Sequence, residues 1–402
     1  MTTVAEHQAA VRALAEAALR GAAEDVPLGA ALGRILAADV TSAIDLPPFD
    51  NSQMDGYAVR AGDFNRLSPD AGTGPLRVTG HIAAGDPITA FAGGAAAIMT
   101  GAPLPPGADA VVPVEAVGGP GTFAAVGESI ELHEPVAPGA FVRARGSDLA
   151  AGDTVLSAGT LLGPAQLGAL AASGLTTVAV RRRPRVLIVS TGAELTAPGE
   201  PLAPGAIYDA NAIALAAAVT QAGGTALATG VYSDEPEHLR VALDAAGPVE
   251  LVVTSGGVSA GAHEVVRETL GPLGVRFGSV ALQPGGPQGL GTIDISGFPT
   301  PVLCFPGNPV SALVSFELFL RPLLRGSRPT THLPLAASVE SPIGKHQVRR
   351  GRITTDHTVE LVGGPSSHLL AAYARSDALV HLPEGVAHVA AGEPVEVWRI
   401  DE

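Results

Sequence analysis

The chain has 402 residues, and its apolar residues should divide among several domains because single cores rarely grow beyond about 250 to 300 residues. Its formal charge of −15 argues against a nucleic-acid surface, which needs a basic patch. No stretch stays apolar for the roughly 20 residues of a membrane span, and no secretory leader pattern opens the chain. We therefore expect a cytoplasmic protein with no membrane or nucleic-acid partner.

The chain contains one cysteine, Cys304, and one lysine, Lys345. A single cysteine supplies neither an internal disulfide nor a cysteine metal cage, and the apolar run around Cys304 predicts a small buried strand residue. Lys345 lies far from any glycine-rich loop. This placement argues against a Walker-type nucleoside triphosphatase.

The first half of the chain alternates between one helical segment and many short β-prone runs. Val4, Val11, Leu14 and Leu19 follow helical spacing and predict an amphipathic helix over 4–19. Short β-prone runs with Gly and Pro turns predict a β-rich lobe from 47 to 142. A short helix is expected at 164–173.

From residue 181 the pattern changes to buried strands alternating with helices. Strands are predicted at 185–190, 225–233 and 251–257, and in the PVLCFPG segment; helices are predicted at 211–223, 234–247, about 262–270 and from Asn308 onward. Such alternation predicts a parallel sheet covered on both faces. Short strands from 327 to 402 predict a small C-terminal β-barrel. The expected fold class is therefore multidomain α/β plus β.

Small, glycine-bearing and hydroxylated turns follow three of the buried strands. Ligands of open parallel sheets bind beyond the carboxyl ends of the strands, and helix N-termini favour anions. The three turns therefore predict a cradle for a phosphate or an oxyanion. Their members are Thr191, Gly192 and Glu194; Ser255, Gly256, Gly257 and Ser259; and Pro306, Gly307, Asn308, Pro309 and Ser311.

Structural explanations for the same residues remain open at this point. The glycines also suit tight turns, and Asn308 before Pro309 suits a helix N-cap. Asp234 with Glu237 three residues later matches a capping box. Asp55 before Gly56 is typical of a hairpin turn.

Five long motifs together resemble one known family. PPFDNSQMDGYAVR, IMTGAPLPPGADAVV, STGAEL with GAIYDAN, SGGVSAG and FPGNPVSA occur in the order seen in MoeA proteins and the gephyrin E domain. The resemblance spans nearly the whole chain. It implies four domains: domain I at 1–46 and 143–180, the inserted β-rich domain II at 47–142, the molybdopterin-binding α/β domain III at 181–326, and the β-barrel domain IV at 327–402.

The resemblance also implies an activity. MoeA proteins are molybdopterin molybdenumtransferases, which use Mg²⁺ to convert molybdate and adenylylated molybdopterin into molybdenum cofactor and AMP. It further implies a homodimer whose site lies between domain III of one subunit and domain II of the other. The implied protein partners are a MogA-type adenylyltransferase and apo-molybdoenzymes.

The resemblance assigns roles to residues of this chain. The implied catalytic residues are Asp55 and Thr100, supplied by the other subunit, with Glu194, Asp234 and Glu264; of these, Asp234 and Glu264 would hold the metal. The implied substrate-binding residues are Thr191, Gly192, Asp209, Asn211, Ser255, Gly256, Gly257, Ser259, Pro306, Gly307, Asn308, Pro309 and Ser311. Molybdate would meet Ser311, Lys345, Arg350 and Ser367.

Two segments depart from the family pattern. Where most members have Lys-Pro-Gly-Lys-Pro, this chain has 283–287 as Gln-Pro-Gly-Gly-Pro, so both lysines that help hold molybdate are replaced by neutral residues. Lys345, Arg349, Arg350 or Arg352 would compensate, unless this run is a solvated strand edge. The other departure is the segment Gly261-Ala262-His263-Glu264, where the family usually has an acidic residue after the Gly and an Asp at the position of Glu264. We interpret His263 as a helix-start residue.

The missing lysines keep one alternative open: a molybdopterin-binding paralogue with lost or altered metal insertion, for example with tungstate in place of molybdate. The resemblance to the gephyrin E domain implies a second alternative, a structural scaffold, which ranks last because nothing in the sequence marks a partner groove.

Overall fold

The computed structural model describes residues 1–64, 75–117, 122–131, 135–258 and 264–400. The chain divides into two compact units. One unit combines Met1–Ala23 with Arg181–Glu402, and the other is Glu24–Val180. No helix in the described part of the chain is long and apolar enough to cross a membrane.

The Glu24–Val180 unit is β-rich, as its many turn signals predicted. Its largest sheet has five strands in the order Ala110–Pro113, Gly56–Val59, Ala95–Ile98, Leu76–Ile82 and Ser129–Ile130. Tyr57 and Val59 pack on one side of this sheet and Ala58 on the other, so the strand that follows Asp55 is buried on both faces. The smaller elements are the strands Val40–Thr41, Asn51–Ser52, Val142–Arg143 and Thr154–Leu156, the 3-10 turns Leu28–Ala30 and Val114–Ala116, and the helices Ala61–Phe64 and Pro164–Ala172.

The other unit contains a six-stranded central sheet. Its strands, in chain order, are β1 (Arg185–Thr191), β2 (Thr225–Val231), β3 (Leu251–Ser255), β4 (Arg276–Ser279), β5 (Pro287–Ile295) and β6 (Phe298–Phe305). The spatial order is β2-β1-β3-β6-β5-β4. The first four strands are parallel, as predicted, whereas β5 and β4 extend the sheet in antiparallel fashion. The antiparallel extension was missed because Pro287 and two glycines interrupt the apolar pattern of β5.

Helices cover both faces of the central sheet, as the continuous apolar strands predicted. Val186 and Ile188 of β1 pack into one core and Leu187 and Val189 into the other, because alternate side chains of a strand point to opposite faces. The helices of this unit are Val4–Leu19, Asn211–Gln221, Pro236–Ala245, Val265–Leu270, Pro309–Ser315, Arg321–Leu324 and Leu370–Tyr373, with a π-helical segment at Phe316–Leu320.

The N-terminal helix begins and ends where the spacing predicted, at Val4 and Leu19. Thr3 and Glu6 form a capping box at its start, which satisfies backbone N–H groups that the first turn leaves free. Its buried face joins the same core as Val186 and Ile188. The helix therefore belongs to the packing of the central sheet.

The C-terminal region is β-rich, as expected. Its main sheet contains Leu282–Gln283, His346–Ile353, Ala378–Leu382, Pro394–Arg399 and Thr330–Pro334 in that order, with Val359–Leu361 paired to His346–Ile353. Two further strands, Val339–Glu340 and His388–Val389, pair with each other. Leu282–Gln283 precedes β5 in the chain yet pairs with the C-terminal strands, in parallel with His346 and Gln347. This pairing ties the two regions together beside the cavity described next.

Candidate functional site

The three glycine-bearing turns meet at one edge of the central sheet. Gly256 has a φ of +101°, and a Cβ added there would lie 2.5 Å from the Thr191 carbonyl oxygen. A Cβ added at Gly307 would lie 3.2 Å from the Gly256 Cα. The turns after β1, β3 and β6 are thus in direct contact, and Gly256 permits an approach and a backbone conformation that a side chain would prevent.

Asn211 and Ser255 lock these turns together. The Asn211 Nδ2 donates to Ser255 Oγ at 2.8 Å and to the Gly307 carbonyl oxygen at 2.7 Å, while Ser255 Oγ donates to the Pro306 carbonyl oxygen at 3.3 Å. Both protons of the Asn211 amide are therefore used within the protein. The side chains of Asn211 and Ser255 therefore shape the cradle, and hydrogen-bond donors for a ligand have to come from other residues.

The turns line a cavity of about 960 Å³. This volume lies within the range of small-molecule sites, roughly 300 to 1,000 Å³. Sixteen of the residues singled out from the sequence line it: Thr191, Gly192, Glu194, Asn211, Asp234, Ser255, Gly256, Gly257, Glu264, Pro306, Gly307, Asn308, Pro309, Ser311, Lys345 and Ser367. Residues far apart in the chain are thereby brought to one place.

One side of the cavity is acidic. Glu194 follows β1, Asp234 follows β2 and Glu264 precedes the helix Val265–Leu270, and all three line the cavity. The Glu194 carboxylate folds over Gly192, where an added Cβ would lie 2.5 Å from its Oε2. We call these three residues the acidic side.

Asp234 does not cap a helix. The helix begins at Pro236 with Glu235 as its N-cap and has no side-chain cap bond, so the capping box of Asp234 and Glu237 is absent. Asp234 Oδ1 instead accepts a hydrogen bond from the Ala193 backbone N–H at 3.3 Å. The Asp234 carboxylate is thereby linked to the turn that carries Glu194.

The opposite side of the cavity carries hydrogen-bond donors and one cation. We call it the donor side, and it comprises Ser311, Lys345, Ser366, Ser367, His368 and the loop Gln283–Pro287. Ser311 follows β6 and the loop Gln283–Pro287 precedes β5, and both strands lie on the far side of β3 from β2. Ser366 and His368 were not singled out from the sequence, and only their position beside Ser367 could have indicated them.

Among the described residues that line the cavity, Thr191 has a buried hydroxyl without a hydrogen-bond partner. Thr191 is 4% exposed and lines the cavity, and its Oγ1 has no hydrogen-bond partner within the described ranges. A buried polar group without a partner is unfavourable for folding. The Thr191 oxygen is covered by protein atoms, so Thr191 forms part of the cavity wall without exposing its hydroxyl.

The basic run on the C-terminal strand does not act as a group. Arg350 does not line the cavity: it is 1% exposed and donates to the carbonyl oxygens of Gly364 and Ser366. Arg349 donates to the Gly363 carbonyl oxygen and Arg352 to that of Arg375. Direct contact of Arg350 with molybdate is thus corrected to support of the loop before Ser367. The solvated strand edge is also wrong for the buried Arg349 and Arg350.

Asp209 is likewise placed behind the cavity. It is 1% exposed, its Oδ1 accepts from the Ala212 backbone N–H at 3.1 Å, and its Oδ2 accepts from the Tyr232 hydroxyl at 3.5 Å. These bonds fix the start of the helix Asn211–Gln221. Direct substrate contact by Asp209 is therefore corrected to a structural role.

Asp55 and Thr100 lie together in the Glu24–Val180 unit. Asp55 Oδ1 accepts from the Thr100 backbone N–H at 2.7 Å and from its Oγ1 at 2.9 Å. These hydrogen bonds hold the pKa of Asp55 below its ordinary value. Asp55 is exposed, so its carboxylate is accessible to a partner or a ligand. Ser259 and His263 lie outside the described residues.

The prediction for Cys304 is confirmed. It is fully buried in β6, and burial raises the pKa of its thiol to about 12. A thiol in this state is not a nucleophile.

The fold and the cavity define a class: a multidomain α/β protein with a cavity of small-molecule size at the edge of a parallel sheet. Three family models match in succession. They are the MoeA N-terminal region (domain I and II) over residues 2–174, a probable molybdopterin binding domain over 187–326, and the MoeA C-terminal region (domain IV) over 332–400.

Named relatives match over most or all of their length. The chain is 45% identical to molybdopterin molybdenumtransferase 2 of Mycobacterium tuberculosis (strain CDC 1551 / Oshkosh), covering 100% of both chains. It is 37% identical to molybdopterin molybdenumtransferase of Nostoc sp., covering 94% of this chain and 88% of that protein. The crystal structure of the molybdopterin biosynthesis moea protein from Pyrococcus horikosii superimposes with a TM-score of 0.81 at 33% identity, covering 99% of each chain. The chain belongs to the MoeA family.

Proposed function

We propose that this protein is a molybdopterin molybdenumtransferase, which inserts molybdate into adenylylated molybdopterin and releases AMP. The observation that carries the proposal is the contact of three glycine turns at one sheet edge, where they line a cavity of about 960 Å³. The family membership and the names of its relatives support the same activity.

The two sides of the cavity suit the two substrates. The turns around Gly256 and Gly307 would bind the pterin phosphate through backbone N–H groups. Ser311, Lys345 and Ser367 would bind molybdate, whose negative charge the Lys345 ammonium offsets.

The acidic side would hold Mg²⁺ over the pyrophosphate. In the described part of the chain no three Asp, Glu, His or Cys side chains lie close enough to hold a metal ion alone. That arrangement fits Mg²⁺, which usually takes one or two carboxylates and completes its shell with water and substrate phosphates. Asp234 and Glu264 would be the ligands, and Glu194 would orient the water that cleaves the phosphoanhydride.

The proposal includes a homodimer. An exposed carboxylate fixed by two hydrogen bonds from Thr100 serves no core of its own unit, which supports a role for Asp55 and Thr100 toward a second copy. The partner subunit's Asp55 would then complete the cavity. A MogA-type adenylyltransferase would supply the substrate, and apo-molybdoenzymes would receive the product.

We also retain the four-domain division and a cytoplasmic location. The matched ranges of the three family models support boundaries near residues 181 and 327. The single cysteine is free and buried, which suits a reducing compartment.

The direct test incubates the purified protein with adenylylated molybdopterin, molybdate and Mg²⁺. Release of AMP together with activation of an apo-molybdoenzyme is the expected result. Pterin binding without AMP release would instead identify a binding paralogue. A parallel reaction with tungstate tests the altered-metal alternative, which the neutral residues at Gln283 and Gly286 keep open.

A further inference from the structure

The loop Gln283–Pro287 is held by two buried glutamines. Gln347 and Gln288 are each 2% exposed. Gln347 Nε2 donates to Gln283 Oε1 at 2.7 Å, and Gln288 Nε2 donates to the Gly285 carbonyl oxygen at 2.8 Å and to Ser315 Oγ at 2.7 Å. The loop is therefore fixed at both ends by side-chain hydrogen bonds.

These two glutamines are unfavourable for folding in one respect. The Oε1 atoms of Gln288 and Gln347 are buried and have no hydrogen-bond partner in any described segment. An unsatisfied buried carbonyl oxygen is destabilising, and an apolar side chain of similar size would avoid the cost. What distinguishes Gln347 from an apolar residue is the hydrogen bond from its Nε2 to the cavity-lining Gln283.

That hydrogen bond decides which end of the Gln283 carboxamide is free. Its Oε1 is occupied by Gln347, and its Nε2 has no partner among residues with described positions. Gln283 lines the cavity, and none of the described residues uses its two N–H donors. A Cβ added at Gly285 would lie 3.6 Å from the Ser311 carbonyl oxygen, so the loop also packs against the helix that carries Ser311.

We propose that Gln283 donates hydrogen bonds to the oxyanion substrate and that Gln347 is the positioning residue that turns its amide nitrogen toward the cavity. This inference rests on the proposed function and deepens it, since it assigns a neutral contact to the oxyanion. A neutral amide donor binds an anion more weakly than a positively charged side chain does. Because Gln283 adds no charge, Lys345 still supplies the positive charge of the donor side.

The first test replaces Gln283 with glutamate. Gln283→Glu keeps the size of the side chain but replaces two donors by a negatively charged acceptor. The KM for molybdate should rise about 10- to 100-fold, the range for one hydrogen bond to a charged group, while the KM for adenylylated molybdopterin stays unchanged. Gln221→Glu, at an exposed position of the same unit, is the control for the change in net charge. An unchanged KM for molybdate in Gln283→Glu would overturn the assignment.

The second test separates positioning from simple support. In the Gln347→Glu variant, the ionised carboxylate only accepts hydrogen bonds, so the Gln283 amide nitrogen would turn toward it and away from the cavity. The protonated carboxyl group donates to Gln283 Oε1 as Gln347 does, so the amide nitrogen would keep its direction. The KM for molybdate in Gln347→Glu should therefore rise between about pH 6 and about pH 9 relative to the wild type, since burial raises the pKa of a carboxyl group. In Gln347→Met, which removes the unpaired oxygen, the KM for molybdate relative to the wild type should not change with pH. Identical pH profiles in the two variants would show that Gln347 is merely structural.

A binding measurement keeps this inference distinct from the proposed function. Calorimetric titration with inorganic molybdate should show binding to the wild type and weaker binding to Gln283→Glu. Wild-type binding without AMP release would refute the transferase activity and leave the Gln283 assignment standing. Absence of molybdate binding to the wild type would overturn the Gln283 assignment.

Discussion

The acidic side and the donor side of the cavity are built in different ways. Glu194 and Asp234 are residues on turns directly after β1 and β2, so their positions follow from the strand order alone. The loop Gln283–Pro287 is fixed by a buried side chain from a strand more than 60 residues later in the chain. The negative charges of the acidic side are thus placed by local turns, whereas the neutral donors of the loop Gln283–Pro287 are placed by non-local packing.

The largest effect is expected on the acidic side. Asp234→Asn removes a proposed metal ligand and should reduce AMP release about 100-fold or more, because the metal stabilises charge that develops on the phosphate. The Mg²⁺ concentration for half-maximal rate should rise as well. Asp244→Asn, on an exposed position of the helix Pro236–Ala245, is the matched control. An unchanged Mg²⁺ requirement would remove Asp234 from the metal site.

A loss of similar order, about 100-fold, is expected for Asp55→Asn. The carboxamide oxygen introduced by this substitution still accepts from Thr100, so the local geometry and the fold should persist while the negative charge is lost. Cofactor formation and dimerisation are measured on the same sample, with Asp148→Asn as the control. Full activity in Asp55→Asn would contradict the idea that the acidic side needs a further carboxylate.

A smaller effect is expected on the donor side. Lys345→Met removes the cation and should raise the KM for molybdate about 10-fold, with a smaller change in the KM for adenylylated molybdopterin. Because Lys345 is the one lysine of the chain, molybdate should also protect the protein from lysine-specific acylation. Arg240→Met, on an exposed helix position, controls for lost positive charge. Equal rises in both KM values would show that Lys345 does not distinguish the substrates.

The smallest effect is expected for His381, which lies beside His346 in the C-terminal sheet. The backbone of His346 pairs with that of Leu282, and the Nε2 of His346 lies 2.9 Å from the Nδ1 of His381. Burial, together with the nearby His346, lowers the pKa of His381 to about 3. Protonation therefore favours the unfolded state, and stability present above about pH 6.5 is lost as the pH falls toward about 3. His381→Gln should lessen this loss by about 1.4 kcal/mol per pH unit.

Urea unfolding between about pH 7 and about pH 5 measures this slope. His238→Gln, on the helix Pro236–Ala245, should leave it unchanged. If His381→Gln had the wild-type slope, the acid sensitivity would have to arise from groups other than His381.

Much of the fold was predictable, because its signals are local. The helix Val4–Leu19, the parallel strands β1, β2, β3 and β6, and the glycine turns were all predicted from spacing and turn chemistry. The antiparallel strands β4 and β5 were not, since β5 lacks a continuous apolar run. The capping box at Asp234 failed because the helix begins at Pro236, one residue later than that pattern requires.

The candidate site was predictable where residues follow parallel strands. The carboxyl ends of such strands share one edge, so Thr191, Gly256 and Gly307 had to lie close together. Burial could not be predicted in the same way. Arg350 and Asp209 carry charges that suggest ligand contact, yet both are buried and bonded within the protein.

The sequence by itself determined the family, the order of strands and helices, and the glycine turns that form the cradle, because these depend on residues close together in the chain. Only the tertiary structure decided which polar groups face the cavity. That choice depends on partners distant in sequence: Gln347 for Gln283, Ser366 for Arg350, and Ser255 and Gly307 for Asn211. A hydrogen bond to such a partner occupies one atom of a side chain and thereby decides which other atoms remain available to a substrate.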